Sequence, residues 1–385
     1  MNLGDNVYKP ISFWSWNGDM RESEIRWQIN EFKEKGFGGF FIHSRAGRLI
    51  NYMEDDWFGA CAIAIEEAKK IGLDAWLYDE DGWPSGFAGG LVNGCGEDYC
   101  AKQLRFCIGP PSDEKARILA VYRQNDDGNY YRIEQDKGSD SDLYCFYLIV
   151  PHYVDIMDKS VIAKFIEVTH EVYKKHFGNY FGNVVKGIFT DEPQIPDGPC
   201  WSLCLEDKYY EKYQENILDK LWLMHKNGEG NENFRYRFWS CVNELVNENF
   251  ACQINNWCKK NNLLLTGHFS SEDGLCAQTL TSGGVMPLYE NMGIPGIDHL
   301  GNRLATSVLM KQVTSVAHQR NMPYVLSESF GCAGWDISFK ELLGIAGWQA
   351  VFGVNTICTH LSAYTITGRR KLDYPTFFSY QTPSW

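Results

Sequence analysis

Short apolar runs alternate with helically spaced stretches along most of the chain, and this alternation limits the fold more than any other feature of the sequence. "ISFWSWNG" is followed by "DMRESEIRWQINEFKEKG", in which Ile25, Ile29 and Phe32 fall on one helical face. "FGGFFIHSRAG" is followed by "EDDWFGACAIAIEEAKKIG", with Trp57, Cys61, Ile65 and Ala68 on one face, and "LDAWLYDED" is the third run. Helix ends are marked as well: Asp19 and Glu22 have the spacing of a capping box, and Gly36 and Gly72 stand where helices stop. Strands and helices in this order pair in parallel through right-handed crossovers.

The alternation pauses over residues 97–155. There "ARILAVYRQNDDGNYYRIEQ" and "SDLYCFYLIVPHY" carry strand-like runs, with "DDGN" as a hairpin turn and no helical period, which predicts a small antiparallel insertion after the third strand. "VVKGIFTDEP", "LLLTGHFSSED", "GIPGIDHLG", "MPYVLSESFG" and "NTICTHLSAY" then complete eight strands. The expected fold is α/β, a (β/α)8 TIM barrel forming one domain over residues 1–385 with the β-rich insertion inside it. An open doubly wound sheet fits less well, because "WNGDMRES" is no GxGxxG phosphate cradle. After the eighth strand, "TITGRRKLDYPTFFSYQTPSW" carries no helical pattern. Closure by another segment, a chain that is a piece of a longer one with its C-terminal segment missing, and a homo-oligomer are the alternatives this leaves open.

Composition excludes several partners. A net charge of −13 repels phosphate backbones, and the basic run Arg369, Arg370 and Lys371 is too short to reverse that, so nucleic acid is not an expected partner. No apolar run reaches the roughly 18 residues that span a bilayer, and "MNLGDNVYKP" lacks a signal pattern. Thirteen cysteines without CxxC spacing predict free thiols in a reducing compartment, hence a cytoplasmic protein.

Chemistry in such barrels gathers where the strands end. Those positions hold Trp14, Trp16 and Asn17, His43 and Arg45, Asp79, Glu80 and Asp81, Asp191 and Glu192, His268, Glu272 and Asp273, Asp298 and His299, Glu328 and His360. Polar groups at the ends of apolar strands predict a mouth that binds a polar ligand, with neutral imidazoles on its hydroxyls and with Trp83 and Trp335 as flat platforms for a sugar ring. In "GIFTDEP", Pro193 is expected to hold Glu192 extended, and strand alternation to let one of Asp191 and Glu192 face the axis, with Glu192 favoured. In "YVLSESFG", Tyr324, Leu326 and Glu328 share a face. Glutamates at strands four and seven bring two carboxylates to the mouth from opposed walls. That is the equipment for cutting a glycosidic bond: one acid protonates the leaving oxygen while the other, ionised, attacks or activates water. A metal-dependent barrel hydrolase is a weaker alternative, since the first strand carries no HxH pair. A carbohydrate-binding protein that has lost its chemistry is another, against which both glutamates speak.

"FWSWNGDM", "WLYDEDGWPSGFAGG", "FTDEP", "SESFGCAGW" and "GRRKLDYP" together resemble the barrel of glycoside hydrolase family 106, the α-L-rhamnosidases, from about residue 13 onward. The resemblance implies an inverting hydrolase of small rhamnoside-like glycosides, with Glu192 and Glu328 as catalytic residues and no organic cofactor. A retaining, β-galactosidase-like barrel is the alternative mechanism. It also implies a Ca²⁺ ion near the sugar hydroxyls, for which Asp79, Glu80 and Asp81 are the candidate ligands. Members of that family are longer, with β-sandwich domains after the barrel.

Overall fold

A computed structural model of the chain describes residues 3–379 except 197, 228 and 305. Its strands are β1 (Ile11–Trp16), β2 (Gly39–Ser44), β3 (Asp74–Tyr78), β4 (Cys100–Ile108), β5 (Arg117–Gln124), β6 (Tyr130–Ile133) and β7 (Leu143–Val154). They continue with β8 (Val185–Thr190), β9 (Cys200–Trp201), β10 (Leu264–Gly267), β11 (Gly296–His299), β12 (Leu326–Ser329) and β13 (Thr356–Ala363). Eight of them form one sheet in the order β10-β8-β3-β2-β1-β13-β12-β11. All its pairings are parallel. This is the expected (β/α)8 barrel.

The sheet's two ends, β10 and β11, face each other without a ladder among the described residues. The seam is bridged instead by single bonds: Gly293 and Ile294 donate their backbone N–H groups to the Leu265 carbonyl at 2.8 and 3.0 Å. Glu272 reinforces it, accepting from the Phe269 N–H at 3.1 Å on one side and the Asp298 N–H at 2.9 Å on the other. Beyond β13 the described residues hold one short 3-10 turn, Gly368–Leu372, and no α-helix.

The insertion forms a second, antiparallel sheet in the order β6-β5-β7-β4-β9. Its edge strand β9 comes from the chain after β8, so the insertion is stitched to the barrel loop that follows the fourth barrel strand. Two residues are too short a run to carry a strand pattern, and the sequence gives no sign of β9.

Barrel strands bury both faces, and alternation divides their side chains between two cores. Phe13, Phe41, Trp76, Tyr78 and Phe189 fill the barrel interior. Trp14 and Trp16 point the other way, into the layer of helices. There Trp14 gives its indole N–H to Gln28 at 2.7 Å on helix α1 (Glu22–Glu34), and Trp16 packs edge-on against Trp57 of helix α2 (Asp55–Ile71). The capping box expected at Asp19 does not form. Helix α1 starts at Glu22 without a side-chain cap, and Asp19 instead accepts from the Tyr364 hydroxyl at 2.8 Å, tying the first barrel loop to the last.

The stretch after β3 is held together by one side chain. Glu80, fully buried, accepts five backbone N–H bonds, from Asp81 and Gly89 on one oxygen and from Gly86, Phe87 and Ala88 on the other, at 2.5 to 3.0 Å. Gly89 has φ +61°, and a Cβ there would stand 2.9 Å from the Asp81 Cβ, so the loop wraps the carboxylate only with glycine at that point. Glu80→Ala leaves these donors buried without an acceptor, at about 1–3 kcal/mol for each one that water cannot reach. Denaturant unfolding should therefore register a loss of at least about 3 kcal/mol. A loss under about 1 kcal/mol would mean that the loop holds its shape without the carboxylate.

Candidate active site

His268 sits at the centre of the barrel mouth, and backbone geometry puts it there. Gly267 ends β10 with φ +117°, and a Cβ on it would lie 1.8 Å from the Thr190 carbonyl oxygen. Only glycine lets β10 come this close to β8, where the next residue, His268, donates its N–H to that same carbonyl at 3.2 Å. The imidazole then turns into the mouth. Its Nε2 lies 3.1 Å from Glu328 Oε2 and 3.4 Å from Asp191 Oδ1. Ligand atoms of Asp191, His268 and Glu328 fall within 4.8 Å of one another, and so do those of Glu192, His268 and Asp298. Four carboxyl groups, two from the segment just after β8 and one each from β11 and β12, thus converge on one histidine.

Both acids of "TDEP" take part. The strand ends at Thr190, and Glu192 adopts φ +46°, a left-handed conformation that costs a non-glycine residue about 1–2 kcal/mol. The expected extended backbone before Pro193 is not found, and with it goes the restriction to a single inward acid. Asp191 is fixed from below: its Oδ2 accepts from the Tyr78 hydroxyl at 2.7 Å, and its N–H donates to Ser85 Oγ at 2.8 Å. Ser85 Oγ in turn donates to Asp79 Oδ1 at 2.6 Å.

The carboxylates are not equivalent. Burial opposes ionisation of Glu328, but the hydrogen bond and charge of His268, with Arg45 beyond, hold it below its ordinary pKa. Burial raises Glu192, and the Glu328 charge adds to that against the pull of His268. Burial and the Glu328 charge push Asp191 up to about 8 and hold Asp298 well above the carboxylate range. Although burial disfavours the imidazolium, the Glu328 bond and the surrounding acids keep His268 charged well above 6.5. The mouth therefore holds one ion pair, His268 with Glu328, among acids whose carboxyl groups burial and the Glu328 charge push upward.

A cavity of about 230 Å³ opens over this cluster, lined by Asp191, Glu192, Asp298, Glu328, Arg45 and His360, with Trp83, Tyr374, Leu300 and Cys332 on its rim. Arg45 is bidentate to Asp373 at 2.7 and 2.8 Å and lies 4.3 Å from the Trp83 ring centroid. Burial holds His360 neutral, down to about 4. The structure thus brings together Arg45, Trp83, Asp191, Glu192, His268, Glu328 and His360 of the expected residues.

Others lie elsewhere. Trp16 is in the helix layer, and Asn17 spends its amide on the Thr365 backbone, donating at 2.9 Å and accepting at 3.0 Å. His43 is fully buried between Phe13, stacked at 4.2 Å, and Tyr78, and burial lowers its pKa well below 6.5. It belongs to the barrel interior beneath the mouth. Asp79 is buried under Ser85 and steadies Asp191 through it. His299 is buried near Trp348, and Trp335 packs edge-on against Phe377; neither is among the described residues lining the cavity. Asp298, expected at a strand end beside His299, lines the cavity, and Tyr78, Tyr374 and Cys332 complete the site without having been singled out.

The expected calcium ligands do not fit a common ion. Glu80 has both oxygens occupied by five backbone N–H groups, and Asp81 is paired with Arg48 at 2.5 Å and accepts from Ser44. Asp79 faces Ser85. An ion that takes six to eight oxygen ligands finds no free set there.

No family model matches the sequence, and no curated protein does. Solved structures do resemble the fold. A rhamnosidase from Novosphingobium sp. PP1Y superposes with a TM-score of 0.69 at 12% identity over 95% of this chain, which spans 56% of that protein's length. The catalytic domain of a β-amylase from Paenibacillus polymyxa superposes with a TM-score of 0.55 at 11% identity, over 92% of this chain and 93% of that one. At such identities the likeness extends to the barrel alone.

The ion pair has a defined pH window. Glu328, held low, contributes stability above about pH 4.5 that is lost as pH falls through its folded pKa; His268, held high, contributes below pH 6.5 and loses it as pH rises through its own. In NMR titration the His268 ring should stay protonated above pH 6.5, and Glu328→Gln should lower the pH at which it releases its proton. A titration unchanged by that substitution would show that the pair does not hold the charge.

Proposed function

We propose that the chain is a glycoside hydrolase that releases a terminal, uncharged, rhamnoside-like sugar with inversion. The observation that carries the reading is the meeting of two acids, Glu192 after β8 and Glu328 on β12, around a shared histidine in one cavity, with Glu192 pushed up and Glu328 held down. A general acid must keep its proton near neutral pH and a general base must have lost it. In this reading Glu192 gives its proton to the glycosidic oxygen as the bond to the anomeric carbon breaks. Glu328 takes a proton from the water that attacks that carbon from the opposite side. His268 keeps Glu328 ionised, and Tyr78 keeps Asp191 turned toward it. The barrels that superpose bear the names of a rhamnosidase and a β-amylase, both cutters of glycosidic bonds, which supports the same class of reaction.

The cavity's chemistry supports a neutral substrate. Among the described residues lining it, the permanent cation is Arg45, already engaged by Asp373. A uronate would enter beside four carboxyl groups without a partner. Leu300 and Cys332 on the rim offer an apolar surface to a deoxy-sugar methyl group. Thirteen unpaired cysteines support a reducing, cytoplasmic setting.

A panel of nitrophenyl glycosides, rhamnosides first, tests the class, and NMR of the first-formed anomer tests inversion. Glu192→Gln and Glu328→Gln should each slow turnover by about 10²- to 10⁴-fold with folding intact. An activated leaving group should rescue Glu192→Gln and not Glu328→Gln; equal rescue would mean that the roles are misassigned.

The same cluster favours one second reading. Two carboxylate and imidazole triads within 4.8 Å could hold a metal ion and make the chain a metal-dependent hydrolase. Exhaustive dialysis against chelator separates the readings. Full activity afterwards is expected of the acid–base enzyme, and loss restored by a single metal would favour the metal centre.

A further inference from the structure

Beside the catalytic cavity lies a larger one of about 510 Å³, within the range of small-molecule sites. Three chain segments build it: the loop after β3 gives Trp83 and Phe87, β4 and β7 of the insertion give Gln103, Val150 and His152, and the loop after β8 gives Gln194 and Ile195. Tyr153 is their joint. Its hydroxyl donates to the Ser85 carbonyl at 2.6 Å and accepts from the Gln194 N–H at 3.3 Å, so β7 is bonded to both loops at one atom. Trp83, 39% exposed, lines this cavity and the catalytic one alike.

Position and chemistry assign it a role that rests on the hydrolase reading. Glu192, the acid that protonates the leaving oxygen, is followed through Pro193 by Gln194 and Ile195, which form the cavity wall. The leaving group departs on the side of its acid, so this cavity lies where an aglycone would extend. Its surface differs from that of the catalytic cavity. Among the described residues lining it there is no Asp, Glu, Lys or Arg, while the indole, two further aromatic rings and two primary amides recur around it. Aromatic faces with amide donors and acceptors suit a pyranose, which stacks by its C–H face and bonds by its hydroxyls.

We infer that the cavity between the β-insertion and the loops after β3 and β8 is a leaving-group subsite for an uncharged sugar residue, with Trp83 as the shared wall between it and the catalytic cavity. The insertion, in this assignment, selects the substrate's second sugar while the barrel handles the first.

Val150→Trp fills the cavity from β7, away from the reacting atoms, and His152→Trp does so from an exposed position whose substitution does not endanger folding. For each variant, kcat/KM is measured on a glycoside with a two-sugar leaving group and on the corresponding glycosyl fluoride, whose leaving group cannot reach the cavity. The ratio of the two should fall at least tenfold in Val150→Trp and in the same direction in His152→Trp. A ratio unchanged in both overturns the subsite. In parallel, ligand-observed NMR follows cellotriose, maltotriose and mannotriose on the Glu328→Gln protein. Binding of at least one, weakened by Val150→Trp, is expected. Absent binding of all three, or binding indifferent to both tryptophans, overturns the assignment. Wild-type protein that binds the trisaccharides through Val150 yet hydrolyses no glycoside strikes the hydrolase reading and leaves the sugar site standing.

Discussion

One buried imidazole makes the rest of the mouth possible. Four carboxyl groups within a few ångströms could not all ionise away from water, since each buried charge needs a partner and like charges repel. His268 resolves this by taking one of them, Glu328, into an ion pair at 3.1 Å. Burial raises Asp191, Glu192 and Asp298, and the charge that His268 stabilises on Glu328 adds to that rise. One arrangement thus shifts neighbouring carboxyl groups in opposite directions, Glu328 down and Glu192 up. Removing His268 would disturb both shifts together.

The scaffold spends its special backbone geometry on that same point. Gly267 brings β10 against β8 closely enough to seat His268, and Glu192 adopts a left-handed φ that lets two successive acids serve one mouth. The unpaired seam between β10 and β11 lies here too. Glu272 crosses it, buried, with Tyr289 donating to it at 2.6 Å and the Asp298 N–H at 2.9 Å. A ladder would fix the β10 and β11 registers residue by residue; the Glu272 bridge fixes them at the level of His268 and Asp298, where the carboxyl groups converge.

The fold was legible because eight runs of strand length alternate with helical stretches, and burial on both sides makes each run nearly continuous in hydrophobicity. Glu192, Glu328, His268 and Arg45 were legible because they stand at strand ends. What failed was parity. Whether a residue one step from the end of a strand faces the mouth, the interior or the helices depends on where pairing stops, and the sequence marks that only within a residue or two. Trp16 fell to the helix side and His43 to the interior on this account. Asp79, Glu80 and Asp81 failed for a different reason: three adjacent acids suggest a cation, whereas backbone N–H groups and Arg48 satisfy a carboxylate equally well, and nothing in the sequence places those partners.

The stretch from Asp79 to Gly89 shows why such a loop is chemically constrained throughout. Glu80 gathers the backbone, Asp79 reaches Asp191 through Ser85, and Asp81 anchors Arg48. With its base fixed in this way, Trp83 is carried out over the mouth, packed against the Arg45 guanidinium at 4.3 Å and edge-on to the Tyr374 ring at 5.8 Å. Arg45 is itself locked by Asp373, from the segment beyond the eighth strand. The indole is thereby fixed by both the third strand's loop and the chain's last described segment. A wall shared by two cavities must not swing into either, and here the carboxylates of Glu80, Asp81 and Asp373 are the ones that keep it still.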